Sequence, residues 1–259
     1  MVKKAFFAFF ASLLFAFGAD LRGDLGRILG ENHPAIENIM QNERSFIDER
    51  NNVNYNALFA RLKNQRLLEP SNSANIQIGF SSPDDNAILM VKAVGEVLSK
   101  MGYKYYLTTH FDANSAQWGI ALSSRNSLEP GVLYSQLANS KIYIKKISKQ
   151  EANFYIYELD LSRASVDSDT LNVNQIRPQK PYFLNVADKK SLSIEADSDD
   201  SFQPFIRVFD KNLKLIKTQK SNTITYSLTI ELPAEANYVL IEDSFSLENI
   251  KRGLKINLN

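Results

Sequence analysis

Hydrophobic and polar positions alternate most clearly in the middle of the chain, between residues 75 and 161. Runs with a two-residue period predict strands, and stretches with a 3.6-residue period predict helices. The predicted order is strand, helix, two strands, helix, two strands. The predicted elements are Asn75–Phe80, a helix that starts at Ser82-Pro83-Asp84-Asp85 and stops at Gly102, Tyr103–Phe111, Gln117–Ser123, a helix from Pro130, Lys141–Ile147 and Asn153–Leu161.

The first six of these elements follow the order of a ferredoxin-like domain. In that split βαβ arrangement, an α/β-sandwich, two helices cover one antiparallel sheet. The seventh element is expected to form a hairpin with the strand before it. Residues 75–161 are therefore predicted to be a ferredoxin-like α+β domain.

Different patterns flank this domain. Residues 19–74 read as a helical N-terminal segment, in which Leu21, Leu25 and Ile28 share one face. Residues 162–170 are polar and read as a linker, and residues 171–259 predict an all-β sandwich, jelly-roll or immunoglobulin-like. Its predicted strands are Tyr182–Val186, Ser191–Ala196, Pro204–Phe209, Leu213–Thr218, Thr223–Leu232, Ala236–Ile241 and Gly253–Leu258.

The first 18 residues have the three parts of a secretory signal peptide. Lys3 and Lys4 form a positive start, an apolar run extends from Ala5 to Gly18, and polarity returns at Asp20. A run of 14 residues is short for a permanent anchor, because a membrane-spanning helix needs roughly 20. The chain has no cysteine, which excludes a lipidated cysteine and disulfides. We therefore expect export to the periplasm and a mature chain that does not span the membrane.

Charge argues against nucleic acid as a partner. Of the 30 Lys and Arg residues, Lys3 and Lys4 lie in the signal, so the mature chain has 28 basic and 29 acidic residues. Nucleic-acid binding needs a clustered basic surface. The densest basic group (Lys141, Lys145, Lys146 and Lys149) alternates along a predicted strand and favours a solvated face.

The residues of known catalytic and metal-binding motifs are mostly missing. The only histidines are His33 and His110, and no Gly-x-Ser-x-Gly, His-Glu-x-x-His or phosphate-loop motif occurs. We predict no catalytic, cofactor-binding or metal-binding residues and no cofactor. Asp84-Asp85 is interpreted as a helix start. Asp197-Ser198-Asp199-Asp200 is interpreted as a solvated hairpin tip, with a calcium site as the alternative.

An aromatic group on the predicted hairpin has two interpretations. Tyr103, Tyr105, Tyr106 and Phe111 lie on one strand, and Trp118 lies on its partner. If one face is exposed, it offers a platform for sugar rings or for a partner protein. The alternative is that cross-strand aromatic pairs stabilise the sheet.

Two segments resemble known groups of proteins. Met101–Thr108 and Tyr157–Ser162 resemble a group of uncharacterised exported proteins of Gram-negative bacteria, over roughly residues 54–162. Pro204–Asp210 and Leu232–Leu240 are similar to β-sandwich modules at the C-terminal end of secreted peptidases, with Asn237 where a glycine is usual. The first resemblance implies export without an assigned activity, and the second implies only a fold.

Three functions remain open. The favoured hypothesis is a non-enzymatic periplasmic adaptor or scaffold that docks onto a cell-envelope assembly, using exposed sheet edges for strand addition. The first alternative is a glycan- or peptidoglycan-binding protein. The second is an enzyme whose carboxylates meet only in the folded chain.

Overall fold

The computed structural model describes residues 19–68, 75–84, 86–123, 128–151, 154–170 and 178–259. The predicted signal peptide and Asp85 lie outside these residues. The chain is a mixed α+β protein that forms two compact units, which divide between Ser165 and Val166. Within the described ranges, no helix has both the length and the apolar character needed to cross a bilayer.

The described part of the N-terminal unit contains five α-helices and a five-stranded sheet with the order β2-β3-β1-β5-β4. β1 pairs with β3 in the antiparallel sense and with β5 in the parallel sense. The elements are α1 (Leu21–Leu29), α2 (Ala35–Met40), a 3-10 turn (Glu43–Phe46), α3 (Tyr55–Asn64), β1 (Asn75–Ser81), α4 (Ala87–Lys100), β2 (Leu107–Asp112), β3 (Gln117–Ser123), α5 (Pro130–Asn139), β4 (Tyr143–Glu151) and β5 (Phe154–Asp160).

The sheet has one core face and one open face. Alternation along each strand points Ile78 on β1, Ile120 on β3 and Tyr157 on β5 into the core, where each is nearly fully buried. α4 packs against β3, and α5 packs against β4. The open face carries the intervening residues, among them Gln77 and Gly79 on β1.

The hairpin of the last two strands forms as predicted, but its position differs from a ferredoxin-like sheet. That sheet places the fourth strand beside the first. Here β5 lies between β1 and β4 and pairs with both. The apolar side chains on the core face of β5, such as Tyr157 and Leu159, suit this interior position.

Two boundaries around α4 differ from the prediction. The helix begins at Ala87, not at Ser82. At its other end Gly102 has a φ of +92°, and the N–H of Tyr103 donates to the carbonyl of Leu98. This helix cap uses the residues that were predicted to start the next strand, so β2 begins only at Leu107.

The C-terminal unit consists of seven strands in a three-stranded sheet, β10-β7-β12, and a four-stranded sheet, β6-β11-β8-β9. Both sheets contribute to one apolar core, with Ile194 from the first and Ile206 and Val239 from the second. The strands are β6 (Tyr182–Asn185), β7 (Ser191–Ala196), β8 (Pro204–Phe209), β9 (Leu215–Lys220), β10 (Ser227–Glu231), β11 (Tyr238–Asp243) and β12 (Leu254–Leu258), with a 3-10 turn at Leu247–Ile250.

Candidate functional site

The two edges of the N-terminal sheet are treated in opposite ways. At one edge, α1 packs along β4. The N–H of Ile147 on β4 donates to Asp24 Oδ1 at 3.2 Å, and Arg27 Nε donates to the carbonyl of Ile147 at 3.3 Å. These two side chains bond to the main-chain N–H and carbonyl of Ile147, the groups with which an added strand would pair. The edge of β4 is therefore closed.

Asp24 is the centre of this closure, and its side chain is fully buried. It accepts from Arg27 Nη2 at 2.6 Å and from the hydroxyl of Tyr55 on α3. Burial raises the pKa of the Asp24 carboxyl, and the hydrogen bonds from Tyr55, Arg27 and Ile147 oppose that shift. Because every oxygen of the carboxylate is used inside the protein, the cluster joins α1, α3 and β4 and leaves no free group for a ligand.

At the opposite edge β2 is open. Five of its six residues are exposed, and Leu107 is 69% exposed. Residues 107–111 carry no Asp, Glu, Lys, Arg or Pro. In the described part of the chain, their backbone makes no hydrogen bond outside the ladder with β3. Charged residues and proline are two of the usual protections of an edge strand, and residues 107–111 of β2 have neither.

A bulge interrupts β2 at Thr109. The register with β3 shifts between Thr108 and His110, and His110 is paired with Gly119. A Cβ on Gly119 would lie 3.0 Å from Thr109 Oγ1 and 3.3 Å from His110 Cβ, so both side chains lie over the glycine. The glycine is needed here because two side chains of one strand face a single residue of its partner.

The aromatic residues are divided between core and surface. Trp118 is 2% exposed, and its ring lies 5.6 Å from Phe80 and 5.6 Å from Tyr106, the latter edge-on. Tyr105 is 91% exposed and lies two residues before β2. Trp118 belongs to the core face, where it pairs across the strands with Phe80, so it fits the interpretation of aromatic pairs that stabilise the sheet and not that of an exposed platform with Tyr105. Only Tyr105, with Phe111 partly, remains on the surface.

A groove of about 360 Å³ lies on the open face of the same sheet. Gly79 and Gly119, which are partners in the β1–β3 ladder, lie at its centre. Its rim includes Gln77, Thr109, His110, Gln117, Phe154 and Ile156. His110 therefore lines a cavity, which could not be predicted from its place in the sequence.

The acidic turn of the C-terminal unit is an ion-pair cluster around Arg252. Asp200 has a fully buried side chain and accepts from Arg252 Nη1 at 3.0 Å and from its backbone N–H at 3.0 Å. Arg252 also pairs with Asp199 at 3.2 Å. The prediction of a fully solvated tip is therefore wrong for Asp200, whose carboxylate ties the turn to the segment before β12.

The other candidate residues have local roles. His33 Nδ1 accepts the N–H of Ala35 at 3.2 Å at the start of α2. Asp84 is exposed before α4, where Asn86 is the N-cap residue. Among the described residues, no group of three or more His, Cys, Asp or Glu side chains is placed to hold a metal ion.

Comparisons of the chain with protein-family models, with curated proteins and with solved structures found no match. The resemblance to exported proteins of Gram-negative bacteria therefore stays a prediction.

Proposed function

We propose that the protein is a non-enzymatic periplasmic adaptor that docks onto a cell-envelope assembly through the free edge of β2. The observation that carries the proposal is the contrast between the two edges of one sheet. Asp24 and Arg27 close β4, whereas the backbone of residues 107–111 stays open. The partner that fits this edge is an extended segment of another protein, because such a segment gains main-chain hydrogen bonds from an unpaired strand.

The side chains along β2 support the same partner. Leu107 and Tyr105 are largely exposed, and apolar groups beside the edge add contact area to the main-chain pairing. No charge lies between residues 107 and 111, so an incoming segment would not have to bury an unpaired ion there.

The location and the finer fold assignments belong to the same proposal. Export to the periplasm is supported by the signal-like residues 1–18. The N-terminal unit is proposed to be a ferredoxin-like sheet extended by β5, because β3 separates the parallel strands β1 and β2. The C-terminal unit is proposed to be a β-sandwich, because two antiparallel sheets share one core.

Site-specific photo-crosslinking tests the docking edge. A benzoylphenylalanine replaces Tyr105 beside β2 in the full chain, and in the matched control it replaces the exposed Lys145 on β4. We expect irradiation of whole cells to give one discrete adduct of Tyr105 with an envelope protein and none of Lys145, since α1 covers the second edge. Equal adducts at both positions, or no adduct at Tyr105, would contradict the proposal.

A further inference from the structure

The groove on the open face of the N-terminal sheet has the form of a small-ligand site. Its volume of about 360 Å³ falls in the range of such sites, roughly 300–1,000 Å³. It lies on the face of the sheet over β3 and β1, and two residues of its rim, Thr109 and His110, belong to β2. A strand added to the outer edge of β2 would lie about two strand spacings, roughly 10 Å, from β3. A strand added at that edge would therefore not fill the part of the groove over β1 and β3.

The floor of the groove is backbone. Gly79 and Gly119 present no side chain, and their neighbours have moved into the space that a Cβ would take. A Cβ on Gly79 would lie 3.0 Å from Ile156 Cγ1, and one on Gly119 would lie 3.0 Å from Thr109 Oγ1. The peptide groups of these interior strands are engaged in the ladder, so the floor offers no main-chain pairing, and Ile156 lies beside the buried Gly79.

The rim combines apolar contact with uncharged polar groups. Ile156 and Phe154 line one side. Gln77, Thr109, His110 and Gln117 lie elsewhere around the rim and are exposed, and in the described part of the chain none of their side chains hydrogen-bonds to another protein group. Among the lining residues that the structure describes there is no Asp, Glu, Lys or Arg. The rim thus offers amide, hydroxyl and imidazole groups that are available to a ligand.

These features select one ligand class. A charged ligand would find no counter-ion among the described lining residues, and a wholly apolar ligand would cover four polar side chains without pairing them. A peptide strand could not pair with the floor, because the backbone groups of β1 and β3 are already hydrogen-bonded to neighbouring strands. A sugar ring has an apolar C–H face and a rim of hydroxyls, which match the apolar side chains of Ile156 and Phe154 and the surrounding amides. We infer that the groove binds a neutral saccharide.

Histidine NMR tests this inference, because the chain contains only His33 and His110. The full chain is titrated at constant pH with the N-acetylglucosamine trimer, cellotriose and maltotriose, each to about 20 mM, which reaches the weak affinities of small ligands. The ring signals of His110 are expected to shift saturably with at least one trisaccharide, while those of His33 stay fixed. No shift with any of the three, or equal shifts of both histidines, overturns the inference.

Matched variants locate the site. Gln77→Leu and Gln117→Leu each remove one rim amide from an exposed position, and each is expected to weaken the binding at least about tenfold. Gln219→Leu in the C-terminal unit is the control and leaves binding unchanged. The fluorescence of Trp118, the only tryptophan, checks that each variant is folded. Unchanged binding in both rim variants places the saccharide elsewhere and refutes the groove.

Two further experiments identify the source of the saccharide and distinguish this inference from the proposed docking at β2. If the ligand is a wall glycan, sedimentation with purified cell wall is competed by the soluble trisaccharide. If the ligand is a free saccharide, the chain does not sediment. Leu107→Lys is expected to leave the titration of His110 unchanged, and Gln77→Leu is expected to leave the adduct at Tyr105 unchanged. Loss of one property without the other shows which proposal has failed.

Discussion

The two edges of the N-terminal sheet expose the same kind of backbone to opposite environments. At β4 the chain places a buried carboxylate and a guanidinium where another strand would pair. At β2 it leaves the backbone uncovered and sets Leu107 and Tyr105 beside it. A buried ion pair is a weak source of stability compared with apolar packing. The comparison indicates that Asp24 and Arg27 prevent another strand from pairing with β4. No equivalent side chains cover β2 in the described part of the chain.

The largest effect is expected from opening the closed edge. Asp24→Ala leaves Arg27 without its buried anion and the N–H of Ile147 without an acceptor, and should lower the free energy of unfolding by about 3–5 kcal/mol. Urea denaturation measures it. Arg22→Ala breaks the exposed pair with Glu37 and should have little effect on stability, because solvent screens such a pair. Similar losses in both variants would show that Asp24 is not an edge closure.

A slightly smaller loss of stability is expected from a core substitution on β3, the strand that pairs with β2. Trp118→Ala removes a core side chain between Phe80 and Tyr106 and should cost about 3 kcal/mol or more, because the cavity relaxes only partly. Tyr105→Ala should change stability by less than about 0.5 kcal/mol, since that side chain is exposed. Thermal unfolding followed by circular dichroism compares the two. A large loss for Tyr105→Ala would mean that it supports the fold.

Hydrogen exchange compares the edges without a mutation. The amide of Ile147 is held by a buried acceptor, whereas the outward amides of residues 107–111 face solvent. We expect Ile147 to exchange at least about a hundredfold more slowly, which corresponds to about 2.7 kcal/mol. Residue-resolved exchange by NMR measures both in one sample. Equal protection would show that β2 is covered in solution.

The smallest effect on stability is expected from protecting the open edge. Leu107→Lys should change the free energy of unfolding by less than about 0.5 kcal/mol, because Leu107 is largely exposed. The same charge should reduce the photo-adduct of Tyr105 at least about tenfold, because lysine on an edge strand discourages pairing. Leu215→Lys on β9 is the control, and its adduct yield should equal that of the unaltered chain.

The sequence predicts most of the elements, because the period of the hydrophobic positions sets them. β1, β3, β7 and β8 lie where alternation placed them. Boundaries set by helix caps were missed. Lys141 has a φ of +58°, and the N–H of Ile142 returns to the carbonyl of Leu137, so β4 begins two residues after the predicted start. Lysine gives no sign of the left-handed conformation that glycine would indicate.

The closed edge was missed, although a signal was present. Asp24 lies three residues after Leu21 and one before Leu25, on the face that was interpreted as purely apolar. A carboxylate on such a face, with Arg27 three residues further on, indicates a buried pair. Its partner Ile147 lies 123 residues along the chain and could not be predicted from local patterns. The groove was missed for the same reason, since Gly79 and Gly119 meet only in the sheet.

The bulge at Thr109 has a consequence for the solubility of a chain with an unprotected strand. A bulge bends its strand and increases the local twist, so an added segment cannot follow β2 as a long flat ribbon. Growth of an open-ended stack of sheets needs flat strands in continuous register. β2 has two residues before the bulge and three after it. This length is enough to pair with one short segment, but the strand is too irregular to start the growth of a fibre.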